Sequence, residues 1–159
     1  MRWIIKRWKQ QISAKQFKRL LNIWPPLYFT GIKVEDISRD SRQISVSMRL
    51  KFYNTNFVGT QFGGNLYAMT DPFYMLMLLQ ILGNDYYVWD QAAKITFVAP
   101  AREKVYVNFN LTNQDIADIK QHTESGEKYI KTFHTNIVTS TNNIIAKVQK
   151  DIYIRRKHH

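Results

Sequence analysis

Between Gly64 and Leu82 the chain carries apolar side chains on every face a helix would present: Leu66, Tyr67, Met69, Phe73, Tyr74, Leu76, Met77, Leu78, Leu79 and Ile81. A helix that is apolar all round is buried, so the rest of the chain must supply a layer that encloses it. Gly83-Asn84 is the stop signal. The flanking sequence has a period of two. Ile44, Val46, Met48, Leu50 and Phe52 alternate with Ser45, Ser47, Arg49 and Lys51, which reads as a half-buried strand running through Phe52. Ala93, Ile95, Phe97 and Ala99 alternate up to Pro100, and Val105, Val107, Phe109 and Leu111 alternate after it. Residues 114–122 read as a short helical connection. Tyr129–Thr139 and Ile144–Ile154 read as a hairpin turning over residues 140–143. Two strands before the buried helix and four after it, all antiparallel, give an α+β fold: a curved sheet wrapped around one apolar helix.

The amino-terminal part has a different pattern. Ile5, Trp8, Ile12, Phe17, Leu20, Leu21 and Trp24 recur at helical spacing over residues 3–24, with Lys, Arg and Gln between them, until Trp24-Pro25-Pro26 ends the run. This divides the chain into a basic amphipathic helix over 1–26 and a globular domain over 27–157. The helix reads as packing on its own domain, or as lying in a membrane interface through its basic, tryptophan-bearing face. The net charge of +11 sits at the ends: residues 1–34 hold eight Lys/Arg and no acid, and residues 147–159 hold five against Asp151 alone. The middle is near neutral, which argues against a nucleic-acid-binding domain. Cysteine is absent, so disulfides, thiolate metal sites and a cysteine nucleophile are excluded. No apolar run is long enough to span a bilayer, and a soluble, cytoplasmic protein is the default expectation.

The candidate chemistry lies at the entrance to the apolar helix, in Thr55-Asn56-Phe57-Val58-Gly59-Thr60-Gln61-Phe62-Gly63-Gly64, with Asp71 two turns beyond. Unbonded N–H groups at a helix start can polarise a carbonyl, and a carboxylate beyond them can activate water, a constellation suited to opening a thioester. Each residue has a second reading. Asp71, within Thr70-Asp71-Pro72, could cap a new helix beginning at Pro72. Gly63 and Gly64 could supply a tight turn needing positive φ. Asn56 could hold its own turn, and Asp90 could pair with Lys94 at a strand end. His134 reads as a core or interface histidine rather than a ligand. No metal site and no phosphate loop is visible in the sequence.

Trp24-Pro25-Pro26, the Asn54–Gly64 stretch, Tyr67-Ala68-Met69-Thr70-Asp71-Pro72, Trp89-Asp90 and Tyr153–Lys157 together resemble the hotdog-fold thioesterases. They are most similar to a bacterial hotdog family known as a domain of unknown function and described in thioesterase terms. The resemblance implies a hotdog fold that dimerises edge to edge, as a homodimer or a homotetramer, with sites at the subunit interface. It implies that Asn56 matches the asparagine that precedes the glycine pair in those enzymes, Gly63 the glycine whose N–H faces the thioester carbonyl, and Asp71 the acid. Asp90 would help to hold the attacking water, Gly64 would lie against the bound thioester, and Arg102 and Lys104 would meet the phosphates of coenzyme A. CoA then enters as part of the substrate, and no other cofactor is implied. Phe62 departs from the pattern, standing where the enzymes have a histidine. The implied activity is acyl-CoA or related thioester hydrolysis; the alternative is a non-catalytic acyl-thioester or lipid-binding member of the superfamily.

Overall fold

The computed structural model describes residues 12–157. Ser13 opens the first helix, α1 (Ala14–Ile23), through a capping box in which its hydroxyl accepts from the Gln16 N–H and the Gln16 side chain accepts from the Ser13 N–H. The helix expected over residues 3–24 is therefore cut at Ser13; its part before residue 12 lies outside the described residues. Phe17 and Leu21 bury its apolar stripe. Prolines 25 and 26 start a single turn, α2 (Pro25–Tyr28), with proline at the first helical position, where no N–H is needed.

Six strands follow: β1 (Ile32–Ile37), β2 (Gln43–Met48), β3 (Tyr86–Phe97), β4 (Val105–Asn110), β5 (Lys128–Thr139) and β6 (Ile144–Arg156). They form one sheet in the order β1-β2-β4-β5-β6-β3, and every neighbouring pair is antiparallel. β4 and β5 pair only at Val105–Thr139 and Tyr106–Val138, so the strands splay there and the sheet curls. The hollow holds the apolar segment, which is in two pieces, α3 (Gly63–Ala68) and α4 (Phe73–Leu82). Pro72 makes the break, because it has no N–H to give the Ala68 carbonyl and its ring would clash there. The Asp71 N–H takes that carbonyl instead, at 3.4 Å. Within the core Phe73 stacks on Phe109 at 4.9 Å and Tyr74 on Phe133 at 4.5 Å. Each such fully buried side chain contributes about 1.5–3 kcal/mol. This is the hotdog arrangement, with α5 (Asn113–His122) joining β4 to β5.

Three expectations change. The alternation of β2 does not run on to Phe52, which is exposed. The Asn54 side chain accepts from the Lys51 N–H at 2.7 Å and donates to the Arg49 carbonyl at 2.9 Å, drawing the chain into a turn. His134 is exposed on the outer face of β5 rather than in the core. β3 begins seven residues before Ala93, at Tyr86, and contains Asp90.

The two edges of the sheet differ. At β1, the Asn22 side chain of α1 accepts from the Val34 N–H at 2.8 Å and donates to the Val34 carbonyl at 3.0 Å, so it occupies the place of a neighbouring strand. At β3, one side pairs with β6 along the strand and the other is unpaired among the described residues. A bulge at Gln91 lets Val88 and Asp90 on one side of it, and Ala93, Ile95 and Phe97 on the other, all face inward opposite Ile154, Ile152, Lys150, Val148 and Ala146.

Candidate functional site

Lysine at an inward position of a strand is the most unusual feature of the interior. On β6, Val148, Lys150 and Ile152 share the inner face, and the Lys150 side chain is 1% exposed. Its ammonium lies 2.9 Å from Asp71 Oδ1 and 2.8 Å from Asp90 Oδ1. It also sits 5.4 Å from the centre of the Tyr67 ring, whose hydroxyl donates to the same Asp71 oxygen at 2.9 Å. Asp71 and Asp90, separate candidates in the sequence, are thus joined by a buried cation that sequence reasoning missed. Asp90 pairs with Lys150 and not with Lys94. Its Oδ1 is buried and has no well-directed hydrogen bond, so the contact is an ion pair.

Burial pushes the Asp90 carboxyl above the usual carboxylate range; Lys150 opposes this, and the nearby charge of Asp71 adds to it. Burial pulls the Lys150 ammonium down, but its close contacts with the Asp90 and Asp71 carboxylates and their charges outweigh it and leave the group above its ordinary value. Burial also raises the Tyr67 phenol, with Asp71 adding to the rise. Tyr67 is therefore a donor, and Lys150 a cation, throughout the neutral range.

Asp71 does not cap a helix. α4 begins after Pro72 with no side-chain cap, and the Asp71 carboxylate is spent on Tyr67 and Lys150. Both contacts fall on Oδ1, and the side chain is 47% exposed. A carboxylate is held at the protein surface by two donors, one of them fully buried, with its other oxygen outside these contacts.

The glycine motif forms a separate wall. Gly63, Asn56, Gln61, Leu66 and the 97–101 segment line an open cavity of about 330 Å³. Asp71, one helical turn past Tyr67, is not part of that lining within a single chain. The first turn of α3 follows Phe62, which supplies no side-chain cap to the N–H groups there. Positive φ is not what requires glycine at 63 and 64; in this loop that conformation belongs to Gly59, at 76°. Space is the reason. A Cβ on Gly63 would stand 3.1 Å from the Phe97 ring, and one on Gly64 2.5 Å from the Phe62 ring. Asn56 shapes its loop: its Oδ1 accepts from the Val58 and Thr60 N–H groups and its Nδ2 donates to the Thr60 hydroxyl. Gln61 ties the loop down, giving its amide hydrogens to the carbonyls of Met48 and Glu103. Arg102 is exposed beyond this cavity. Lys104 turns to the outer face of the sheet and pairs with Glu35 at 3.1 Å.

Residues 13–154 match the family described as a domain of unknown function, DUF4442. The chain belongs to that family. Among curated proteins, none matches this DUF4442 chain by sequence. It is similar in fold to several solved structures. A Pseudomonas aeruginosa protein of unknown function, described as a probable thioesterase, superposes with a TM-score of 0.82 at 14% identity, over 94% of this chain and 99% of that one. A Haemophilus influenzae thioesterase gives 0.67 at 16% identity, over 96% and 98%. A hypothetical thioesterase from Streptococcus pneumoniae, solved with coenzyme A, gives 0.58 at 10% identity, over 82% and 91%. At these identities the likeness is one of fold.

Proposed function

We propose that this DUF4442 chain hydrolyses acyl thioesters, acyl-CoA or a close relative, with Asp71 as the group that delivers water to the carbonyl carbon or attacks it directly. One observation carries the reading: a half-exposed carboxylate, fixed through Oδ1 by Tyr67 and buried Lys150, stands two turns after a helix start whose N–H groups have no side-chain cap. The thioester oxygen would accept from the Gly63 N–H, and water or the carboxylate would add to the carbon. With water, C–S cleavage would release a thiol and a carboxylic acid; with the carboxylate, it would release the thiol and leave an Asp71 mixed anhydride, which water then opens to the acid and free Asp71. Asp90 acts through Lys150, keeping the ammonium in place, and Asn56 keeps the cavity wall in shape. A homodimer through β3 is the working unit, because the inward Ala93, Ile95 and Phe97 of that edge are left partly or wholly exposed by the chain itself. The second copy closes the cleft between the Gly63 cavity and the acid cluster. The solved structure that holds coenzyme A supports CoA as the carrier, with Gly64 beside the thioester and Arg102 as the candidate phosphate contact; Lys104, held by Glu35 on the outer face of the sheet, drops out of that role.

The test is a hydrolysis screen over acyl-CoA and aryl-CoA substrates, with wild type beside Asp71→Asn. Loss of the carboxylate's role lowers turnover by roughly 10²–10⁴. Turnover that survives Asp71→Asn within a few-fold overturns the mechanism. Phe62 favours a second reading, binding without hydrolysis. Its half-exposed ring lies against Gly64, where the resembling enzymes have a polar imidazole. Thioester binding with no turnover on any substrate would select it.

A further inference from the structure

A second concave surface lies away from this site, on the outer side of β1 and β2. It is an open groove of about 830 Å³. Its walls carry Tyr28 and Phe29 from the end of α2 and Tyr53 from the turn after β2, and its floor and rim carry Lys33, Arg49 and Lys51. Phe29 is 75% exposed and Phe52, packed edge to face on Tyr53, is 93% exposed. Tyr28 and Phe29 form a second edge-to-face pair at 5.4 Å. Two edge-to-face aromatic pairs, one in the groove wall and one at its rim, are thus presented to the outside.

Three observations specify what covers it. The first is charge. Glu35 is the one acid in the lining; Lys33 and Ser47 hold it, with Lys104 beyond, and its carboxyl is brought down to about 2. Among the described residues no ion pair neutralises Arg49 or Lys51, and the Lys51 ammonium stands 5.5 Å over the Tyr53 ring. The groove is therefore cationic between aromatic walls. The second is its place. It borders β1, the sheet edge opposite β3, and Asn22 already occupies that edge, so neither β3 pairing nor strand addition covers it. The third is the charge of the chain's own first residues: 1–11 carry four basic residues and no acid, the wrong charge for this groove.

We infer that this aromatic–cationic groove docks the protein on an anionic phospholipid bilayer, the rings entering the headgroup layer and Arg49 and Lys51 meeting lipid phosphates while Lys33 stays with Glu35. The inference is independent of thioester chemistry. It differs from anchoring by the amino-terminal helix in naming a surface of the globular domain.

The test is cosedimentation of the full chain with phosphatidylcholine vesicles, with and without phosphatidylglycerol. Binding is expected only with the anionic lipid, and it should fall as salt rises. Arg49→Ala with Lys51→Ala should weaken it about 30-fold, and Arg49→Lys with Lys51→Arg should retain it. Phe29→Ser with Phe52→Ser should weaken it at least about tenfold, while the melting temperature stays that of wild type. Absence of binding to anionic vesicles overturns the inference. So does binding that these groove variants leave unchanged but that replacing Arg2, Lys6, Arg7 and Lys9 by alanine abolishes. A change of oligomeric state in the Arg49/Lys51 double variant would assign the groove to a second copy and also overturn it.

Discussion

Lys150→Met asks how much the buried ammonium stabilises the fold. Methionine matches the lysine stem in volume, so the change removes the charge with little cavity. What remains is two carboxylates without their cation. Breaking a buried pair by removing one partner costs about 3–5 kcal/mol. Asp71 is 47% exposed and can turn to water, whereas Asp90 is 22% exposed on a strand and cannot. The expected loss therefore sits at the low end, about 3 kcal/mol, or roughly 6–12 °C in melting temperature for a domain of this size. Urea unfolding at pH 7 measures it as a shifted midpoint at unchanged slope. Asp90→Asn in the Lys150→Met background removes the stranded charge and should recover at least half of the loss. The pH dependence has a definite sign. Lys150 has a folded pKa above its ordinary 10.5, so its contribution is complete below that pH and fades as pH rises through the folded value. The gap between wild type and Lys150→Met should accordingly narrow in strong alkali. A loss under about 1 kcal/mol, or a double variant no better than the single, would refute the account of the cluster as a coupled unit.

Two further outcomes can be checked at the bench. Glu35 is held at about 2 against an ordinary 4.5, first by Lys33, then by Ser47 and Lys104; it stabilises the fold above pH 4.5 and stops doing so as pH falls toward about 2. Glu35→Gln should therefore flatten the acid limb of a melting-temperature profile in that window and leave its neutral part nearly level. Phe97→Glu places a charge on the open edge beside Gly63. In sedimentation velocity it should shift the protein from dimer to monomer, and an unchanged dimer would rule out β3 as the contact.

Much of the architecture could be read from residue order because it rests on periodicity. The buried apolar segment 64–82, the β5–β6 hairpin and five of the six strands follow from spacing, although the segment reads as one helix and is broken at Pro72. β1 carries no clean alternation, because its register shifts between Val34 and Asp36 and moves the inward positions from Ile32 and Val34 to Ile37. β2 was read too long because Asn54, a residue outside the alternation, redirects the chain. At the site, Asp71 and Asp90 were visible as acids, but the cation joining them was not singled out. The signal was present: Val148, Lys150 and Ile152 alternate, and a lysine at an inward position must find carboxylates or pay a heavy desolvation penalty. Which carboxylates it finds depends on the bulge at Gln91, and no local pattern announces that.

The Asn22 amide lying along β1 has a consequence for how copies of this chain can add up. A ribbon open at both borders grows without end, since every addition presents a fresh border. Here one border is sealed from within the molecule, so two copies that meet through β3 leave no strand free for a third. If copies meet through β3 as proposed, the Asn22 amide on Val34 would help to make association self-terminating, and Asn22→Ala would be the change that lets it run on.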